Sequence, residues 1–227
     1  MLNLIYKDLR VGLVFLFLAI PCFAIGASAG VRSGPVFFWI SLVFAAALVL
    51  GTSQMDWRHG VDRFMHSLPV SRDLVVRARY AWALLAGALT LFVAGSAGVV
   101  QAARLTSAGQ QWPRWVSADV VLAWVLLFVI IVALYLPCYF RWGHGKGYIY
   151  GALTIAGGVV AGGFISQVYA HGDVTSDLPR GLVMSTVTWA AARFGLPVAA
   201  LMVLGLAGIL LLVSARLAAR SYRQREF

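Results

Sequence analysis

Apolar residues in this chain come in long blocks rather than in the short alternating runs of a soluble fold. Six blocks are long enough to cross a bilayer, which takes about 20 apolar residues per helix. They run over Val11–Gly30, Val36–Gln54, Tyr80–Ala103, Val116–Phe140, Tyr148–Tyr169 and Phe194–Ala215. Between them lie short polar or glycine-containing connections, with no soluble linker and no low-complexity segment. The pattern predicts one all-α membrane domain over residues 1–227, with six transmembrane helices. A further apolar run, Leu182–Ala192, is too short to span and is expected to form a short re-entrant or surface helix.

The first block has a basic start, Lys7 and Arg10, and an Ala27-Ser28-Ala29 sequence that resembles a cleavage site. A retained signal-anchor is the expectation, and cleavage would leave the remaining topology unchanged. Positive charge sets the orientation. With the N-terminus inside, 13 of the 18 Lys and Arg residues fall in inside segments and 5 (Arg32, Arg104, Arg114, Arg180 and Arg193) outside. Both termini are therefore expected in the cytoplasm. Aromatic residues suit the same layers: Trp39, Trp112, Trp115 and Trp189 outside, and Trp57, Tyr80, Trp82, Tyr139, Trp142, Tyr148 and Tyr222 inside.

Composition narrows the functions. The chain is 61% hydrophobic and 11% charged, too little charge for a soluble surface of this size. Its net charge of +10 flanks apolar blocks, so it points to topology and anionic headgroups rather than nucleic acid. Cys22 and Cys138 lie inside apolar blocks and form no disulfide or metal spacing. The one glutamate is Glu226, and the aspartates fall in loops or at block ends. A proton- or sodium-coupled carrier usually places an ionisable group near mid-membrane, so that class loses ground. The loop histidines, His59, His66, His144 and His171, lack metal-ligand spacing, and there is no His-Glu-x-x-His. Gly143-His144-Gly145-Lys146-Gly147 lacks the Ser/Thr and first glycine of a phosphate loop, so no ATP site is expected in this chain.

The longest inside connection, Met55–Arg79, carries the most specific pattern. Trp57, Val61, Phe64, Met65 and Leu68 recur at i, i+4, i+7, i+8 and i+11, one face of a helix, with Arg58, His59, Asp62, Arg63 and His66 opposite. This predicts a short amphipathic helix along the membrane surface. Pro69 ends it. Ser71 is placed to N-cap the next helix, and Asp73 complements the dipole in its first turn. That helix is expected to continue through Arg77 and Arg79 into the third span.

Met55-Asp56-Trp57-Arg58-His59-Gly60, then Leu68-Pro69-Val70-Ser71-Arg72, then Val75-Val76-Arg77-Ala78-Arg79-Tyr80 resembles the first cytoplasmic loop of ABC-2 type transporter permeases. Asp56 stands at the family's acidic position, Gly60 at its glycine, and the Leu-Pro-Val-Ser-Arg stretch is complete. The opening Leu4-Ile5-Tyr6-Lys7-Asp8-Leu9-Arg10 is similar too. The resemblance implies the membrane subunit of an ABC exporter in the cell (inner or plasma) membrane, paired with itself or a related permease. Two copies of a separate ATPase would bind ATP and Mg, and this chain would hold no cofactor, metal or catalytic residue. Asp56–Ser67 would be the coupling helix docked on that ATPase, and Asp56, Trp57, Arg58, Gly60, Phe64, Met65, Leu68, Pro69, Ser71 and Arg72 are its candidate residues. Phe64 and Met65 fit an apolar groove in the ATPase or the lipid surface equally.

The resemblance implicates the first and fifth spans in pairing. Gly158 and Gly162, a small-xxx-small pair, suit close helix approach either between copies or within one. A pathway lined by apolar residues with scattered Ser, Thr and Gln suits a hydrophobic peptide, lipid or drug. A non-transporting sensor, immunity or assembly protein with the same fold is the competing reading.

Overall fold

The computed structural model of the chain describes residues 6, 8–10, 12, 34–58, 71–107, 118–170, 190 and 192–224. Among these residues the elements are four helices with no strand: α1 (Gly34–Arg58), α2 (Arg72–Ser107), α3 (Ala118–Ala170) and α4 (Leu196–Arg223). Three segments are long and apolar enough to cross a membrane: Arg72–Ala97, Val121–Gly143 and Leu196–Arg223. These match the third, fourth and sixth predicted spans. The second is present as α1, a helix of 25 residues. The fifth falls in the helical backbone of α3 beyond Gly143, and the first lies almost wholly outside the described residues.

Glycines make the breaks. Gly143 sits at φ 70°, ψ −167°, where α3 kinks and two helical segments meet. Gly195, at φ 85°, separates α4 from the residues before it, and Pro197 follows in the first turn. Both conformations are strained for residues with a side chain. Pro137, by contrast, is carried inside α3, as membrane helices allow when neighbouring groups satisfy the freed carbonyl.

The bundle centres on α3, which packs against α1, α2 and α4; α2 also touches α1 and α4. Leu48, Val76, Trp82, Val132 and Leu136 form its dry interior. Polar groups inside are tied locally or across helices. Thr52 and Ser53 bond back to carbonyls of Leu48 and Val49. The indole N–H of Trp82 donates to Thr52 at 3.1 Å, and that of Trp124 donates to Ser41 at 2.9 Å. Of the aromatic residues expected at the inner interface, Tyr80, Trp82, Tyr139 and Tyr222 are buried against protein; the Trp82 indole N–H and the Tyr80 hydroxyl find partners on neighbouring helices.

The outer surface is apolar in the opposite sense from a soluble protein. On α4, Leu201 is 71% and Leu212 64% exposed, an arrangement that is favourable only where hydrocarbon replaces water.

Close packing makes one glycine costly to change. A Cβ at Gly87 in α2 would meet ring atoms of Phe128 in α3, with Cδ1 and Cζ both 2.9 Å away. Phe128 cannot swing aside freely, since it stacks on Trp124 at 5.3 Å, which is itself held by Ser41. Gly87→Val is expected to destabilise the bundle by about 1–3 kcal/mol. Gly95→Val, on the same helix with nothing within 4 Å, is expected to be near neutral. Thermal unfolding of the two variants in lipid nanodiscs checks the contrast.

Candidate functional site

The polar residues that bracket the α1–α2 connection converge at one end of the bundle. α1 runs unbroken through Gln54 and Met55 to Arg58, so the first turn of the expected amphipathic helix is the last turn of α1. No proline or glycine interrupts the chain between Thr52 and Arg58, and Thr52 and Ser53 hide their hydroxyls on backbone carbonyls. Gly60, Phe64, Met65, Leu68 and Pro69 lie outside the described residues. Trp57 and Arg58 are described in backbone only.

Asp56 faces inward and is buried. Its carboxylate pairs with the Arg79 guanidinium of α2. The same guanidinium donates through Nη1 to Asp8 Oδ2 at 3.1 Å. All three residues are under 8% exposed. Tyr135 and Tyr139 of α3 lie beside the guanidinium. Asp8, the end of α1, the start of α2 and the middle of α3 are thus joined through Arg79.

A buried charge is tolerated only when paired and hydrogen-bonded. Here one guanidinium serves both carboxyl groups. Sequence marked Arg79 as a topology-setting charge within the loop motif and Asp8 as part of the family-like opening, but not as partners. Their pairing joins positions 71 apart, which local pattern does not encode. The available signal was symmetry. An acid closes the second apolar block and a base opens the third, so the shared end of the two helices brings them together.

Two turns before Arg79, the start of α2 meets the end of α4. Ser71 occupies the position before the helix, and its carbonyl accepts from the N–H of Leu74 at 3.0 Å and of Val75 at 3.4 Å. Asp73 lies in the first turn. Both features follow the sequence expectation, because capping depends on neighbours a few positions away. Arg72 is exposed, and its Nη1 donates to the carbonyls of Arg223 at 2.9 Å and Tyr222 at 3.3 Å. These belong to the last turn of α4, where helix carbonyls lack intrahelical donors and the dipole favours positive charge. Arg223 in turn donates from Nε to Asp73 Oδ1 at 3.0 Å and pairs with its second oxygen.

Tyr80 completes the set. Its hydroxyl hydrogen-bonds Ser214 of α4 at 2.5 Å, and the Ser214 hydroxyl donates to the Ala133 carbonyl of α3 at 2.8 Å. The Phe140 ring meets Tyr222 edge-on at 5.1 Å. The first three turns of α2 therefore hold Asp8, α1, α3 and α4 by side chains within nine positions. Such a hub can carry displacement of α2 to every element it holds.

Among the described residues no group of three or more His, Cys, Asp or Glu is placed to hold a metal. Gly158 and Gly162 lie in the helical backbone of α3, and their packing falls outside the described residues.

A family model for ABC-2 family transporter proteins matches residues 3–223. No curated protein and no solved structure matches the chain.

Proposed function

The chain belongs to the ABC-2 transporter family, a membrane transport component, and on that premise we propose that it is the permease subunit of an ATP-driven exporter. The family match across 3–223 is the observation that carries this reading. The ATP-hydrolysing subunit is a separate protein, present as two copies, that binds ATP and Mg. The permease works as a pair, with itself or a related chain, in the cell membrane, with both termini in the cytoplasm. The six-span layout and the distribution of Lys and Arg support that orientation.

The segment from Asp56 to Ser67 docks on the ATPase. Phe64 and Met65 insert in an apolar groove, and Arg58, Arg63 and Arg72 lie near acidic rims. Asp56 acts from inside the permease: its pairing with Arg79 fixes the root of the docking segment. Closure of the ATPase pair on ATP then displaces the connection, and rigid helices carry that displacement into the spans. Gly158 and Gly162 pack between the two permease copies. The cargo is a hydrophobic or amphiphilic molecule, in keeping with the apolar spans.

Reconstitution tests the reading. The chain, co-purified with its ATPase, is placed in vesicles with a headgroup-labelled lipid, a hydrophobic peptide and a lipophilic dye. ATP-dependent movement of one of these probes is expected. ATP turnover without movement of any probe supports the non-transporting alternative, and failure to retain an ATPase in detergent and in lipid contradicts both.

A further inference from the structure

Arg72 and Asp73 hold the last turn of α4. Two independent bond sets meet there: the Arg72 guanidinium on the Tyr222 and Arg223 carbonyls, and the Asp73 carboxylate on the Arg223 guanidinium. They join positions 150 and 151 apart. Ser71, whose carbonyl accepts from Leu74 and Val75 of α2, is the last residue of the α1–α2 connection, so the clasp sits directly where displacement of that connection enters the bundle. The far end of the connection is rooted separately through Asp56 and Arg79.

α4 packs chiefly on α3 and touches α2 less. Its outward face is apolar and exposed over Leu201, Leu204, Ile209, Leu212 and Leu217. Its buried face, Ala199, Val203, Ala207, Ser214, Ala218 and Tyr222, is mostly small, which lets helices approach closely. Between α4 and α2 the polar ties lie at Ser214 and at the clasp.

We propose that the Arg72–Asp73 clasp on the end of α4 is a second output of the coupling segment, so that ATP-driven movement reaches the last span through α2. This rests on the permease reading above. Arg72, Asp73 and Arg223 are positioning residues: they touch neither nucleotide nor cargo and act through α4. Exposed ion pairs contribute little to stability, so breaking this one is expected to spare folding and ATPase binding while disconnecting α4.

The test uses the full chain in lipid nanodiscs, with Cys22 and Cys138 replaced by alanine and spin labels on cysteines at the exposed Arg77 and Arg220. Alone, the unsubstituted chain is expected to give one narrow label distance. Asp73→Arg, which sets like charges against Arg72 and Arg223, is expected to broaden it, and D73R/R223D to narrow it again. In the complex with the ATPase, a fluorophore at position 220 reports α4 when ATP and vanadate are added. In D73R that response is expected to fall about two- to thirtyfold, with ATP turnover retained, and to recover in D73R/R223D.

An unchanged distance distribution in D73R overturns the clasp. A full response at position 220 in D73R overturns its role in transmission. An unsubstituted chain that captures no ATPase, yet shows the distance pattern described, overturns the permease reading and this relay together, and leaves the clasp standing.

Discussion

Arg79→Met is expected to be the most damaging single substitution in the described residues, costing about 3–5 kcal/mol. The reason is the charge it leaves behind. Asp8 and Asp56 are both buried and both take their positive partner from Arg79. Methionine fills a similar volume but removes that charge, so two carboxylates face each other without it. They must then either take up protons or draw water into the end of the bundle.

Substitution of a single acid has a different expected result. Asp8→Asn leaves one guanidinium and one carboxylate, a neutral pair, and keeps an amide in place to accept from Nη1. Its cost is expected to be well below that of Arg79→Met, and the triple variant Arg79→Met with Asp8→Asn and Asp56→Asn is expected to regain part of the lost stability. Thermal unfolding in nanodiscs and the amount of chain retained in the membrane check the order. Equal losses for Arg79→Met and Asp8→Asn would show that the site is a packing feature rather than an electrostatic one.

Phe64→Glu carries the second large effect, on association rather than on folding. In the proposed docking segment Phe64 is the apolar anchor, and such anchors account for a large share of interface energy, commonly 2 kcal/mol or more. A carboxylate there would be desolvated in an apolar groove. The expected outcome is a loss of ATPase affinity of at least about thirtyfold, the equivalent of that energy at RT of about 0.59 kcal/mol. Unfolding temperature is expected to stay unchanged, because the residue serves a partner and not the bundle. Titration of purified ATPase onto nanodisc-bound chain measures the affinity. A variant that binds normally but loses contact with the bilayer would instead place Phe64 in lipid.

What could be read along the chain divides by the distance over which each feature acts. Membrane crossing is legible because hydrocarbon demands a continuous apolar block, and the segments at Arg72–Ala97, Val121–Gly143 and Leu196–Arg223 fall on predicted spans. Ser71 and Asp73 are legible because capping and dipole effects act within a turn. The continuation of α1 through Asp56 was not legible. A charged residue after an apolar block reads as the start of a surface segment, and only Arg79, on another helix, makes burial favourable for it. Tyr80 is a parallel case. As an aromatic residue at a block end it fits an interfacial belt, whereas its hydroxyl is taken by Ser214, 134 positions away.

The motif itself gains a physical meaning from the structure. After the turn, Arg72, Arg79 and Tyr80 bond to α4, Asp8, Asp56 and Ser214. Docking, in the proposed mechanism, is the task of the Asp56–Ser67 segment, while Asp56 at its root and Arg72 beyond the turn also secure it to the spans. That division accounts for a lever: one part bears on the partner and the flanking parts bear on the bundle.

The most direct measurement places a photo-crosslinking amino acid at position 64 of the full chain and irradiates intact membranes from cells making it together with its transporter partners. The account predicts a crosslinked product that contains an ATP-binding ABC subunit and that changes in yield when ATP is trapped by vanadate. Crosslinks to lipid alone, or to proteins on the outer face of the membrane, would contradict it.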